Sequence, residues 1–130
     1  STRAPQWTGG GMVFAPVPRD YSFKMNKKEK RAALKSVLTD KVQENKFLVL
    51  DELKFDAPKT KDMKKVLDAL KVEKALIIVG NDSDNAVISA RNIAGVATAS
   101  PETINVFDLL KYSTVIATKS SVAAIEEVYA

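Results

Sequence analysis

Eight bases fall within the first 35 residues of this 130-residue chain: Arg3, Arg19, Lys24, Lys27, Lys28, Lys30, Arg31 and Lys35, against only Asp20 and Glu29. That end carries a net +6, while residues 36–130 hold twelve bases against fourteen acids, a net of −2. Cations gathered at one end of a near-neutral body are suited to neutralising a polyanion. Lys24, Lys27, Lys28, Arg31 and Lys35 are spaced i, i+3, i+4, i+7 and i+11, so a helix and its lead-in would carry them along one side. Lysines in a first helical turn oppose the macrodipole at a cost of about a few tenths of a kcal/mol each. An anion outside the protein offsets that cost. Trp7, Phe14, Tyr21 and Phe23 interleave with Arg3, Arg19 and Lys24, placing stacking surfaces beside phosphate-binding charges. The plain alternative is a solvated tail, some of whose aromatics pack onto the body.

Other chemistries are poorly supplied. The chain has no cysteine and no histidine, so it lacks disulfides, thiolate metal sites, the commonest general base and the commonest zinc ligand. No catalytic residue, metal site or cofactor is expected. Gly9, Gly10 and Gly11 invite a phosphate-loop reading, but a Walker loop needs a preceding strand and a following Lys-Ser/Thr on a helix, and here "MVF" follows. A dinucleotide fingerprint fails as well, because Gly80 stands alone after its strand. Asp51, Asn81, Asp82, Ser100 and Ser120 follow the predicted strands, at the usual ligand position of an open α/β sheet. Asp82, Ser100 and Ser120 are explained more simply as helix caps. An α/β enzyme or small-ligand domain with a crevice at the strand ends is the alternative function.

The elements that must position these residues alternate in kind. Asn26 and Glu29 make a capping-box pair, followed by Leu34, Val37, Leu38 and Val42 at helical spacing. "FLVL" (47–50) predicts a buried strand. Met63, Val66, Leu67 and Leu70 predict a helix entered at Pro58 and Thr60. "ALIIV" (75–79) is the strongest strand, and Asp82 or Ser83 would cap a helix bearing Ala86, Val87 and Ala90. "VATA" (96–99) is a weaker strand, and Ser100-Pro101-Glu102 reads as a helix opening. "TVIAT" (114–118) is the last strand, and Ser120 would open a helix with Val122, Ile125, Val128 and Tyr129 on one face. Four apolar strands separated by helices imply a mostly parallel sheet covered on both faces, an α/β fold of three layers, α/β/α. That domain spans 26–130. Residues 1–25, with Pro5, Pro16, Pro18 and the three glycines, have no periodicity and read as an extended basic arm. The chain opens at Ser1 without an initiator methionine, as a fragment or processed chain does. It shows neither a secretory signal pattern nor an apolar run of membrane-spanning length.

The stretch "RAPQWTGGGMVFAPVPRDYSFKMNKKEKRAALKS" resembles the end of the long internal loop, and the helix after it, of the bacterial large-subunit ribosomal protein L-four family. The resemblance continues through "ALIIV", "ISARNIAGV", "INVFDLLKY" and "AAIEEVYA", and so covers essentially the whole chain. Thr8, Ala15 and Glu29 depart from the family pattern. Family members are longer, with a first strand and helix and a fuller loop reaching toward the peptide exit tunnel. The resemblance implies a non-enzymatic constituent of the large ribosomal subunit, cytoplasmic within the ribosome. Its implied partners are 23S rRNA and neighbouring large-subunit proteins, with no membrane and no small-molecule substrate. By position it implies RNA contacts from Arg3, Gln6, Trp7, Gly9, Gly10, Gly11, Arg19, Lys24, Asn26, Lys27, Lys28 and Arg31.

Overall fold

The computed structural model describes residues 1–80 and 83–129. Among these residues nine elements follow one another: α1 (Lys27–Gln43), β1 (Phe47–Leu50), α2 (Thr60–Leu70), β2 (Ala75–Ile78), α3 (Asp84–Ala90), β3 (Val96–Ala99), α4 (Val106–Lys111), β4 (Thr114–Thr118) and α5 (Lys119–Tyr129). The strands form one parallel sheet in the order β1-β4-β2-β3, so the last strand lies between the first two. Phe47 pairs with Val115, Ala75 with Thr114, and Ala75 with Val96.

Side-chain alternation along the strands divides the apolar residues between two cores. Ala75, Ile77, Val79 and Ile116 meet Met63 and Leu67 of α2 and Ala86 and Ala90 of α3. On the other face, Leu76, Ile78, Val115 and Ala117 meet Leu34 of α1, Leu109 of α4, Ile125 of α5 and Ile104. Strand β2 is buried at every position. A strand covered on both sides needs apolar residues at every position, and "ALII" supplies them. The expected three layers are thus formed, with two helices on one face and three on the other.

Several local expectations are corrected. Strand β1 is only half-buried and Val49 is exposed, because β1 lies at the sheet edge. Ser100-Pro101-Glu102 opens a turn rather than a helix: the Thr103 amide donates to the Ser100 carbonyl at 3.0 Å, and the Ser100 amide donates to Thr103 Oγ1 at 3.1 Å. Helix α4 begins later, at Val106, with the Asp108 amide donating to Asn105 Oδ1 at 2.8 Å. Helix α5 begins at Lys119, directly after β4, and Thr118 Oγ1 accepts from the Ser121 amide in the role expected of Ser120. Val128 is exposed rather than packed with Ile125. Helix α3 starts after Ser83, and the Asp82 cap lies outside the described residues.

The last turn of α1 holds a further difference. Val42 is 58% exposed and Lys41 is buried. Lys41 stands seven residues after Leu34, two turns along the same face, whereas Val42 is rotated about 80° from Leu34. The Lys41 amine donates to the carbonyls of Tyr112 at 3.1 Å and Ser113 at 3.3 Å, tying α1 to the entry of β4. Replacing Lys41 with Met keeps the stem but strands both carbonyls, and should cost about 1–3 kcal/mol. Val42→Ala should cost less than about 0.5 kcal/mol, as exposed substitutions do. Urea unfolding of both variants checks this, and equal stabilities would show that the amine contributes nothing.

Candidate nucleic-acid interface

Residues 1–26 form neither helix nor strand, but their first half is not shapeless. The Trp7 amide donates to the Ala4 carbonyl at 3.0 Å, Gly10 to Trp7 at 2.9 Å, and Gly11 back to Arg3 at 2.9 Å. Two of the three glycines are required by the backbone. Gly9 has φ +75°, the left-handed region that glycine enters without steric cost. A Cβ on Gly10 would lie 1.9 Å from the Ala4 carbonyl oxygen. The triplet therefore closes a set of turns that brings Gly11 against Arg3, an arrangement unlike a phosphate loop. Trp7, at the middle of these turns, is 60% exposed.

The remainder of the segment runs to α1 with its apolar side chains in solvent. Phe14 is 95% exposed, and Val17, Tyr21 and Phe23 are also exposed. The Arg19 guanidinium lies over the Tyr21 ring, 4.6 Å from its centroid, a cation–π contact that joins a charge to a stacking face. The one acid here is engaged locally: the Ser22 amide donates to Asp20 Oδ1 at 2.8 Å. That backbone bond, followed by the Ser22 hydroxyl, holds the Asp20 carboxyl below its ordinary range.

Helix α1 begins where the sequence places it, and the Asn26 amide donates to Glu29 Oε2 at 3.3 Å. Lys27, Lys28, Arg31 and Lys35 are all exposed and fall within about 100° of arc, beside the face that Leu34 buries. Among the described residues the ion pairs are Lys46–Glu44, Lys54–Glu52, Lys65–Asp62 and Lys119–Asp51, so no base of residues 1–35 is paired with an acid. Eleven of the twelve expected contact residues are exposed, and only Gly10 is partly covered. Lys30 and Lys35 are as exposed as the expected contacts and were legible from charge and helical period alone. At the root of α1, Met25, Lys30, Arg31, Leu34, Ile104 and Tyr129 line an apolar groove of about 440 Å³ that no sequence pattern announced.

The strand-end crevice has a different character. Gly80, Ser100, Glu102, Ser120 and Ser121 line a space of about 660 Å³. Its hydroxyls face one another: Thr118 Oγ1 is 2.7 Å from Ser121 Oγ and 3.1 Å from Ser120 Oγ, and Ser100 Oγ is 3.0 Å from Thr103 Oγ1. Asp51 is paired with Lys119. Among the described residues none of these hydroxyls is hydrogen-bonded to a basic side chain or a carboxylate. No group of three or more carboxylates among the described residues is placed to hold a metal, and no described helix is long and apolar enough to cross a membrane.

Residues 1–128, which include the turns, the exposed aromatics and the basic helix, match the Ribosomal protein L4/L1 family. The chain belongs to that family. It is 62% identical to the large ribosomal subunit protein uL4 of Agathobacter rectalis, 57% identical to that of Lachnoclostridium phytofermentans and 55% identical to that of Lachnospira eligens, each over the whole chain. The chain spans 63% of the length of each of these relatives.

The Gly10 geometry has a direct consequence. Gly10→Ala should open the turns, since the added carbon cannot share space with the Ala4 carbonyl. Amide hydrogen exchange at Gly11 should then accelerate by about tenfold or more, following loss of its bond to Arg3. The unfolding midpoint of the body should not move, because the segment adds nothing to either core. Unchanged exchange at Gly11 would show that the turns do not depend on that glycine.

Proposed function

We propose that the chain is a non-enzymatic structural constituent of the large ribosomal subunit, cytoplasmic within the ribosome, that binds 23S rRNA through residues 1–35. In this function residues 1–25 act as an RNA-binding arm and residues 26–130 as the globular body, which lies among neighbouring large-subunit proteins. Arg3, Arg19, Lys24, Lys27, Lys28 and Arg31 neutralise phosphates. Trp7 stacks on a base, Gln6 and Asn26 supply hydrogen bonds, and Gly9, Gly10 and Gly11 allow the backbone to approach closely. The binding supports folding of the RNA around the peptide exit tunnel.

The observation that carries this proposal is the union of unpaired cations and solvent-exposed aromatic rings on a segment that belongs to neither core. Exposed rings are costly in water, and a free chain would gain by covering them. RNA bases cover them by stacking, worth about 1–3 kcal/mol per base. The family membership and the names of the relatives support the same function. The hydroxyls of the strand-end crevice, bonded among themselves without a base, give the enzyme alternative little support.

Changing Lys27, Lys28 and Arg31 together to Ala should flatten the slope of log affinity for 23S rRNA against log salt by about two to three units. The same change at Lys59, Lys61 and Lys64 on the body should do much less, and equal effects would remove the special role of the arm. Trp7→Ala should weaken binding without moving the unfolding midpoint. Trp7 is the sole tryptophan, so its fluorescence reports directly. Solvent-exposed emission that shifts on adding RNA is expected, and blue-shifted, quencher-protected emission in the free chain would refute the stacking role.

A further inference from the structure

The near-neutral body is electrically divided by its topology. In a parallel sheet every strand points the same way, so the connections entering strands gather at one edge and those leaving them gather at the other. The entering connections (44–46, 71–74, 91–95 and 112–113) carry Lys46, Lys71, Lys74 and Arg91 against Glu44 and Glu73, and Lys111 closes α4 just before the last of them. The described leaving connections (51–59, 79–80, 83 and 100–105) carry Asp51, Glu52, Asp56 and Glu102 against Lys54 and Lys59, and Lys119 opens α5 directly after β4, paired with Asp51. The basic excess therefore lies at the entering edge.

The basic edge is a contiguous row. The Lys46 carbonyl accepts from the Val115 amide at 2.8 Å, and the Lys74 carbonyl accepts from the Thr114 amide at 3.2 Å and the Ser113 hydroxyl at 2.8 Å. The Gly95 carbonyl accepts from the Ala75 amide at 3.2 Å. With strands about 4.8 Å apart, these residues span about 14 Å. Glu44 is bound to Lys46 at 2.6 Å. Asp40 and Asp68 lie a turn back on α1 and α2. Lys71, Lys74, Arg91 and Lys111 are exposed and have no acidic partner among the described residues.

Helix dipoles explain part of this row, since a base near a helix C-terminus is favourable. They do not explain Lys46 and Lys74, which precede strands. Lys71 closes α2 and gains from its dipole, but it occupies the left-handed position at φ 56°, where glycine is usual. An aromatic platform adjoins the row: the Lys111 amine lies 5.7 Å from the centroid of Phe107 and 5.4 Å from that of Tyr112, and Phe107 is 70% exposed.

Granting RNA as the partner of residues 1–35, we propose that the strand-entry edge, through Lys71, Lys74, Arg91 and Lys111, is a second RNA-backbone surface. It lies at the far end of α1 from the arm, about 25 Å away along a 17-residue helix. Binding at both ends lets one chain hold two stretches of folded RNA at a fixed separation, with the second contact favoured by the high local concentration that the first creates.

The test uses a 20-base-pair mixed-sequence RNA duplex titrated over a range of salt. The starting variant carries Gln at Lys27, Lys28 and Arg31. Adding Lys71→Gln, Lys74→Gln, Arg91→Gln and Lys111→Gln should lower the remaining affinity at least tenfold and flatten the salt slope by about two to three units. Adding instead Gln at Lys54, Lys59, Lys61 and Lys64, the same charge change elsewhere, should leave affinity within about twofold. Equal losses from the two sets overturn the proposal, as does tighter binding of the edge to polyglutamate than to RNA. It is also overturned if the starting variant does not bind and the edge set alone leaves the unmodified chain's affinity unchanged. Failure of the arm's role is seen separately, as substitutions at Lys27, Lys28 and Arg31 without effect while the edge set still acts. If the fourfold edge variant loses its unfolding transition, the Lys74→Gln/Arg91→Gln pair reads the same effect at about half the slope change.

Discussion

Strand β2 has no polar side. Leu76 and Ile78 enter one core while Ala75 and Ile77 enter the other, and all four are buried. Burying a Leu or Ile side chain contributes about 1.5–3 kcal/mol, so leaving either face of this strand uncovered would cost several times that. Both faces must therefore be roofed by helices. Helices that return the chain between parallel strands must run against the strand direction. Most of what the molecule presents to a partner follows from that constraint.

One consequence is the placement of α1. Leu34 locks it over the sheet, and the Lys41 amine fastens its far end to the entry of β4. With its inner face fixed, Lys27, Lys28, Arg31 and Lys35 can only lie beside that face, in water and unpaired. The basic stripe is thus held rigidly at the point where the leading segment joins the body. The segment itself has no such support, and its order comes from local turns closed by Gly9, Gly10 and Gly11. A charged helix fixed to the body is thus joined to a run of exposed rings that belongs to neither core.

Another consequence is the division of charge between the two edges of the sheet. Lys46, Lys74 and Arg91 are far apart in sequence, and each stands before a different strand. Parallel pairing alone brings them to one edge, as the bonds from Thr114 to Lys74 and from Ala75 to Gly95 record. The ion pairs do little to bind the body together. Among the described residues three of the four pairs link residues no more than three apart in sequence, and all four are exposed, where such pairs contribute at most about 1 kcal/mol.

The sequence by itself determined the order and type of the elements, the parallel sheet, and the lack of helix or strand in residues 1–25. These follow from local periodicity and composition: "ALII", apolar throughout and ending in two β-branched residues, reads as a buried strand, and a Gly/Pro-rich stretch without period builds no element. The cationic and aromatic content of residues 1–35 was equally plain, because charge and ring count require no coordinates. Tertiary structure decided what depends on neighbours distant in the chain. It set "FLVL" at an edge and left Val49 in water, since strand order is not written in any one strand. It buried Lys41 in place of Val42, because carbonyls 71 and 72 residues away receive the amine. It moved the start of α4 from Pro101 to Val106, where the Asn105 side chain outcompetes the Ser-Pro signal by capping a helix that can bury Leu109. It also gathered Lys46, Lys71, Lys74 and Arg91 at one edge, because a parallel fold sorts its connections by direction and not by sequence position.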